Sequence, residues 1–460
     1  MEQMVSEEEM LKRKVWLILC ICCLVLNACS FFKEDEQPKQ EVADEQVTLG
    51  LQPDFSYEII EQKPHIYINK VGYETGSKKI VYIEGNNLED TFYIVDTFSG
   101  KNVYKGSLKE MGILEETGNH MYIGDFSIVD ETGNYRVYNE DVGYSYSFMI
   151  DSDPYAVVRS ELEAKINLYR YETVSSCVYV LSNLMLTKEI YPDSIPDKEF
   201  LIEKMEALLL MQSAQGAFPK DYMNVQCVKE EEISLSATAE AAGVLAQFYH
   251  HYKVEEPQLA AKCLQASRKA FAYVERKRDN VDTDSWYYAS AQLYRATGFV
   301  QYRNLIKEYD AIPVESRRTS LYDYTLIADW AYLSTNFATE YNRCNDIMDG
   351  YMEKAQKISL NSAKEHFSVG KNVDTMSKEE VLQDMKVLGL LCSVLGGREY
   401  RGIQENYLHF FLGANSGAVN HLEEVGKPWE EEPALKENPQ WISEFLFILE
   451  NVEMSYSKEK

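Results

Sequence analysis

Tyr146-Ser147-Phe148-Met149-Ile150-Asp151-Ser152-Asp153-Pro154-Tyr155 is the stretch at which the hydrophobic period of this chain changes. Upstream of it the apolar residues alternate: Ile66-Tyr67-Ile68, Ile80-Val81-Tyr82-Ile83, Phe92-Tyr93-Ile94-Val95, Met121-Tyr122-Ile123 and Tyr135-Arg136-Val137-Tyr138, punctuated by Gly85, Gly100, Gly106, Gly118 and Gly133. Alternation bounded by glycine is the signature of half-buried strands. Six or seven short strands between His65 and Ile150 predict a β-sandwich, with a small barrel as the alternative. Gly133-Asn134-Tyr135 opens one strand as a tyrosine corner would, its phenol bonding back to the preceding backbone.

Downstream the period is helical throughout. Helices are expected near 155–170, 174–188, 197–213, 235–252, 256–276, 284–297, 299–308, 320–337, 339–357, 377–395, 399–412 and 439–453. Ser234 or Ser236 caps the alanine-rich run, Ser377 with Glu380 forms a capping box, and Gly298 ends a helix. Twelve helices in antiparallel pairs close most simply into an (α/α)6 toroid whose connecting loops form one face. A superhelical array is the alternative, although no fixed-period repeat is visible.

At the N-terminus, Leu11, Lys12, Arg13 and Lys14 precede the apolar run Val15–Leu26, the length of a signal h-region and too short to span a bilayer. Leu26-Asn27-Ala28-Cys29 reads as a lipobox, with Cys29 the lipidated residue and Asn27 unusual in it; an ordinary signal anchor is the alternative. Ser6-Glu7-Glu8-Glu9 fits poorly ahead of an n-region, so translation starting at Met10 is the better fit. The expected division is a lipoprotein signal over 1–29, a solvated tether over 30–63, the sandwich over 64–150 and the helical domain over 151–460. The expected location is therefore extracytoplasmic, with the membrane reached through the lipid alone.

A net charge of −28 argues against nucleic acid, whose phosphates it would repel. Cys177, Cys227, Cys263, Cys344 and Cys392 are scattered without C-x-x-C spacing and read as small buried hydrophobes. His250-His251 reads as a surface pair rather than as metal ligands, because adjacent helical residues point about 100° apart. Neither a metal nor a cofactor is expected.

Several collinear segments carry a resemblance. Ile66-Tyr67-Ile68-Asn69-Lys70-Val71-Gly72-Tyr73, with Phe92–Asp96, Asp125-Phe126-Ser127 and Gly133-Asn134-Tyr135, looks like the immunoglobulin-like domain that precedes the catalytic barrel in family 9 glycoside hydrolases, the cellulases. Ile195-Pro196-Asp197 leading to Leu208–Gln212 and Gly216, Ser236-Ala237-Thr238-Ala239, Trp286 through Gly298, and Leu412-Gly413-Ala414-Asn415 resemble that family's barrel. The resemblance implies hydrolysis of β-1,4-glucans by inversion, in which one carboxylic acid protonates the glycosidic oxygen and an aspartate across the site activates water.

The same resemblance exposes a deficit. The family's aspartates sit in an Asp-Ala-Gly-Asp loop between the first barrel helices, whereas this chain has no Asp from Pro154 to Pro192 and reads Tyr169-Arg170-Tyr171-Glu172-Thr173-Val174 there. Glu172, the lone carboxylate of that connection, reads as a solvated helix-end residue. The family's aromatic-His-Lys is here Phe218-Pro219-Lys220, and His421 is followed by no arginine, Arg401 being the last in the chain. The general acid, from an Asn-Glu pair before the final helix, has as its nearest text Glu437-Asn438-Pro439, reversed; Glu437 is the weak candidate and Glu444, inside the helix, a weaker substitute. Trp286 and Trp429 are the candidate sugar platforms: Trp286 also fits the core, and Trp429, in a polar loop, is expected to be exposed.

Two readings follow. One is a surface lipoprotein on a family 9 scaffold, catalytically degenerate and kept for binding a β-glucan-class glycan or a partner. The other is an active inverting glycosidase with relocated carboxylates. A purely structural toroid is a weaker third.

Overall fold

The structure, a computed structural model, describes residues 64–457 apart from 116, 195, 224–228, 319, 371–375, 396–399 and 428. Cys29, the signal and the tether lie outside the described residues.

The first domain consists of β1 (Ile66–Tyr67), β2 (Gly72–Glu74), β3 (Ile80–Gly85), β4 (Thr91–Asp96), β5 (Asn102–Ile113), β6 (His120–Asp125), β7 (Gly133–Asn139), β8 (Gly143–Tyr144) and β9 (Phe148–Asp151). They run in the order β1-β3-β6-β5-β4-β7-β9-β2, with β8 beside β7. The long β5 joins the two layers, its first half pairing with β4 and its second with β6. Phe92 fills the core beneath β5 and β6. A Cβ on Gly106 or Gly124 would stand 2.3 or 2.5 Å from its ring, so glycine is required at both places. Tyr135 Oη donates to the Glu131 carbonyl at 2.9 Å, which makes the expected tyrosine corner.

The second domain has twelve α-helices among the described residues: α1 (Ala156–Leu168), α2 (Val174–Ile190), α3 (Lys198–Met211), α4 (Leu235–Tyr252), α5 (Pro257–Glu275), α6 (Thr283–Thr297), α7 (Val300–Asp310), α8 (Thr325–Leu333), α9 (Tyr341–Ser362), α10 (Lys378–Leu395), α11 (Arg401–Phe411) and α12 (Pro439–Ser457). The even-numbered helices are inner: α2 packs on α4, α4 on α6, α6 on α8, α10 on α12, and α12 returns to α2, closing an (α/α)6 barrel. Inner helices are buried nearly all round, which their sequences allow because they are rich in alanine, glycine and small polar residues. On α4, Gly243 leaves room for the Tyr288 ring, which a Cβ would meet at 2.2 Å.

The anticipated caps form. Ser234 accepts from Ala237 N at 3.1 Å, Ser377 and Glu380 make a reciprocal box, and Gly298 ends α6 at φ 70°. The helix expected over 320–337 is confined to Thr325–Leu333, because Ser320 turns back onto Asp284 and its hydroxyl also donates to the Tyr322 carbonyl, which keeps both residues out of the helix.

Candidate active site at the barrel mouth

Alternation of inner and outer helices brings the N-termini of all six inner helices to one end, ringed by connections at 169–173, 212–234, 276–282, 311–324, 363–377 and 412–438. The first connection is closed tightly. Thr173 bridges Asp221, Val174 N donates to Lys220 O at 2.9 Å, and Tyr222 N donates to Glu172 O at 2.9 Å. Thr173 Oγ1 then caps α2 through Ser176 N. Tyr171 is buried against Tyr169 and Tyr222, while the Glu172 side chain points to solvent.

Below this rim the axis of the barrel is filled by tyrosines. Tyr322 stacks on Tyr179 at 4.7 Å and 15°, and Tyr324 stacks on Tyr288 at 4.6 Å and 24°. Tyr288 Oη donates to Gln247 at 2.8 Å and shares a hydrogen bond with Ser182. Glu444 lies on α12 in the same interior. Its Oε1 accepts from Tyr179 Oη, from Gln383 Nε2 at 2.8 Å and from Lys386 Nζ at 3.1 Å, and Lys386 also donates to Asn183 at 2.8 Å. Both partners of this ion pair are buried, at 0% and 3% side-chain exposure. Burial, with Glu444 alongside, drives the Tyr179 phenol well above its ordinary range.

Two further carboxylates lie beneath the rim. Glu240, on α4, is 1% exposed; burial, reinforced by Asp284 and Asp282, pushes it up to about 7. Its Oε1 accepts from Ser285 Oγ at 3.2 Å. Asp284, pushed up to about 6 by burial, is spent on the backbone: it accepts from Ser285 N and Ser320 N at 2.9 Å each.

The other expected residues divide between core and surface. Glu437 stands exposed on the short 3-10 turn before α12. Trp286 is in the core, 4.6 Å from Phe271. Trp429 corrects an expectation: it is only 4% exposed, because its indole donates to Met376 O at 3.0 Å and packs on Phe411 and His421. Beside it Lys378 is wedged between two indoles, its Nζ 4.3 Å from the Trp441 ring centre and 5.4 Å from Trp429. The aromatic faces at this rim thus hold a lysine.

His421 is buried in the same cluster, and burial lowers it to about 3. His250 and His251 also depart from the surface pair expected. His251 is inserted beside Arg295, 2.9 Å from Nη2, and Glu189 pairs with both. Among the described residues no group of His, Cys, Asp and Glu is arranged to hold a metal ion.

The motifs behind the resemblance turn out to be architectural. Gly413, at φ +129°, lets α11 end against the sandwich, where a Cβ would meet Ile68 O at 2.9 Å and Lys70 at 2.8 Å. Lys70 N donates to Leu412 O, and buried Asn69 donates to His409 Nδ1 at 3.0 Å. Asn415 spends both ends of its amide on the loop around it. Gly216, at φ +106°, turns under Lys269 O. Glu240, Lys386 and Tyr179 escaped the sequence reading, although a lone charge inside an otherwise apolar helical run was the available signal for the first.

Residues 61–143 match the cellulase N-terminal ig-like domain, and residues 215–433 match glycosyl hydrolase family 9. A cellodextrinase from Butyrivibrio fibrisolvens is 21% identical over 477 residues, covering 81% of this chain and 86% of that protein. The fold matches a metagenome-derived family 9 endoglucanase with a TM-score of 0.69 at 14% identity, over 84% of this chain and 98% of the other. It also matches a thermostable endoglucanase from Alicyclobacillus acidocaldarius with a TM-score of 0.67 at 15% identity, over 85% and 99%. With the ig-like domain matched first and the barrel region after it, residues 215–433 of this chain carry a glycosyl hydrolase family 9 domain.

Proposed function

We propose that this protein is a family 9 scaffold held at the outer surface of the cell by a lipid on Cys29, binding a β-glucan-class glycan or a partner there without appreciable hydrolysis. The observation that carries the reading is the connection 169–173. It contains no aspartate, is pinned to Asp221 and Tyr222 by backbone bonds, and turns its one carboxylate, Glu172, to solvent. Inverting hydrolysis needs an acid and a base far enough apart to admit water between them and the sugar. Here stacked tyrosines occupy the axis and Glu444 is committed to three donors. The glycan class is supported by the cellodextrinase and endoglucanase relatives.

Titration calorimetry with cello-oligosaccharides, beside reducing-sugar release from carboxymethyl cellulose, tests it. Binding heat with no detectable release is expected, since losing a positioned acid or base removes about 10² to 10⁴ in rate for each group. A second reading, an active inverting glycosidase, is favoured by Glu240, a buried carboxyl that holds its proton up to about pH 7 as a general acid must. Appreciable release by the wild type, abolished in Glu240→Gln or in Glu437→Ala, would establish that reading and name its acid.

A further inference from the structure

The outer face of the ig-like sandwich carries an aromatic row that the barrel chemistry does not use. Tyr93 on β4 is directly opposite Tyr138 on β7, which is directly opposite Tyr144 on β8, and Lys105 on β5 stands opposite Tyr93 from the other side. One in-register row therefore crosses four neighbouring strands. These side chains point away from the core, which takes the alternate residues Phe92, Ile94 and Val137. Ring centres are 6.3 Å apart between Tyr93 and Tyr138 and 4.6 Å apart between Tyr138 and Tyr144. Tyr144 is 50% exposed, so the end of the row is open to solvent. Lys105 Nζ lies over the Tyr93 ring at 5.6 Å. Arg136, two residues before Tyr138 on the same face, has its Nε buried without a hydrogen-bond partner. The hairpin joining β4 to β5 presents Phe98 fully exposed.

Cross-strand aromatic pairs stabilise a sheet by themselves, which accounts for Tyr93 against Tyr138. It does not account for a third ring left half in solvent, flanking basic side chains from Lys105 and Arg136, and a bare phenylalanine beyond the row. We propose that this sheet face is a second glycan-binding surface, taking a neutral pyranose chain whose C–H faces stack on Tyr144 and whose hydroxyls engage Arg136 and Lys105. The occupant follows from the chemistry. By strand alternation the outward positions of β4, β7, β8 and the first half of β5 carry no carboxylate, yet the chain as a whole is at −28, which opposes a polyanion. Sugar hydroxyls can accept from the Lys105 ammonium and from the half-buried Arg136 guanidinium, which an apolar protein partner would leave without acceptors. The inference adds a contact to the barrel reading and does not depend on it.

The test is affinity electrophoresis of the full chain through gels containing hydroxyethyl cellulose, a neutral soluble polymer. Retention should weaken about tenfold in Tyr144→Ala and persist in Tyr144→Phe, which keeps the ring. The same factor should appear when Tyr144→Ala is added to Tyr322→Ala, because the sheet face and the barrel mouth are independent sites. Wild-type retention that Tyr144→Ala leaves unchanged overturns the inference while leaving glycan binding at the barrel standing. A Tyr144→Ala chain that melts lower yet is retained like the wild type assigns the row to sheet stability alone and likewise overturns it. No retention of the wild type overturns it too, and cello-oligosaccharide calorimetry then decides the barrel reading separately.

Discussion

At the residue scale the barrel interior is controlled by two buried carboxylates with opposite solutions. Glu444 is held by Lys386, Gln383 and Tyr179. Removing the cation from such a pair leaves a buried charge uncompensated, so Lys386→Met is expected to lower stability by about 3–5 kcal/mol in urea denaturation. Glu240 has no cation beside it and stays protonated instead, with its pKa raised by burial from 4.5 to about 7. The raised value means that the folded form holds its proton more tightly than the unfolded one. Its contribution is complete below about pH 4.5 and is lost as pH rises through 7. Glu240→Gln, neutral at every pH, should match the wild type near pH 4.5 and exceed it by on the order of 3 kcal/mol at pH 8. Equal stability profiles for the two proteins would show that Glu240 is ionised in the fold. The proposed lipid anchor would rest on a single residue: labelled palmitate should be incorporated by the wild type and not by Cys29→Ala.

At the element scale, close approach of inner helices depends on small residues facing large ones. Gly243 on α4 lies under the Tyr288 ring, which is itself fixed by Gln247, Ser182 and Tyr324 and has nowhere to move. Gly243→Ala should therefore cost about 1–3 kcal/mol by overpacking, more than any gain in helix propensity returns, and a melting scan would register it. Sequence period was enough to place the strands and helices, because each inner helix and each strand repeats its own local pattern. The helix expected over 320–337 failed at its start for a nonlocal reason. Ser320 answers to Asp284, 36 residues away, and a periodicity window contains no term for that bond.

For the whole molecule, four histidines are held neutral by burial: His251, beside Arg295, and three others. His250 and His421 are lowered to about 3 and His409, at the junction with the sandwich, to about 4. Their unfolded forms take up protons near 6.5, so the stability they contribute is present above that pH and falls away as pH drops toward 4. Glu240 and Asp284, and with them Asp329, Glu432 and Glu450, are raised by burial and act in the opposite direction over an overlapping range. The histidine share is therefore read by difference: the stability of His409→Gln relative to the wild type, measured by urea denaturation, should increase as pH falls from 7 to 4. A difference between the two proteins that stays constant over this range would contradict the burial of His409 as a neutral imidazole.

By itself the sequence determined the two-domain order, the change from two-residue to helical period at Ile150, the caps, the tyrosine corner and the missing aspartates. All of these are local: they depend on residues a few positions apart, so one strand or one turn suffices to express them. Only the tertiary structure decided which polar residues face inward. Trp429, in a stretch as polar as any loop, is buried because the connection before α10 supplies Met376 O and α11 supplies Phe411 as its partners. Glu444 and Lys386, 58 residues apart, meet because α10 and α12 are neighbours in a closed ring. Tyr179 and Tyr322 stack across an axis that no single element contains. Burial of a charge or a ring is a property of everything that surrounds it, and closure of the barrel is what supplies those surroundings.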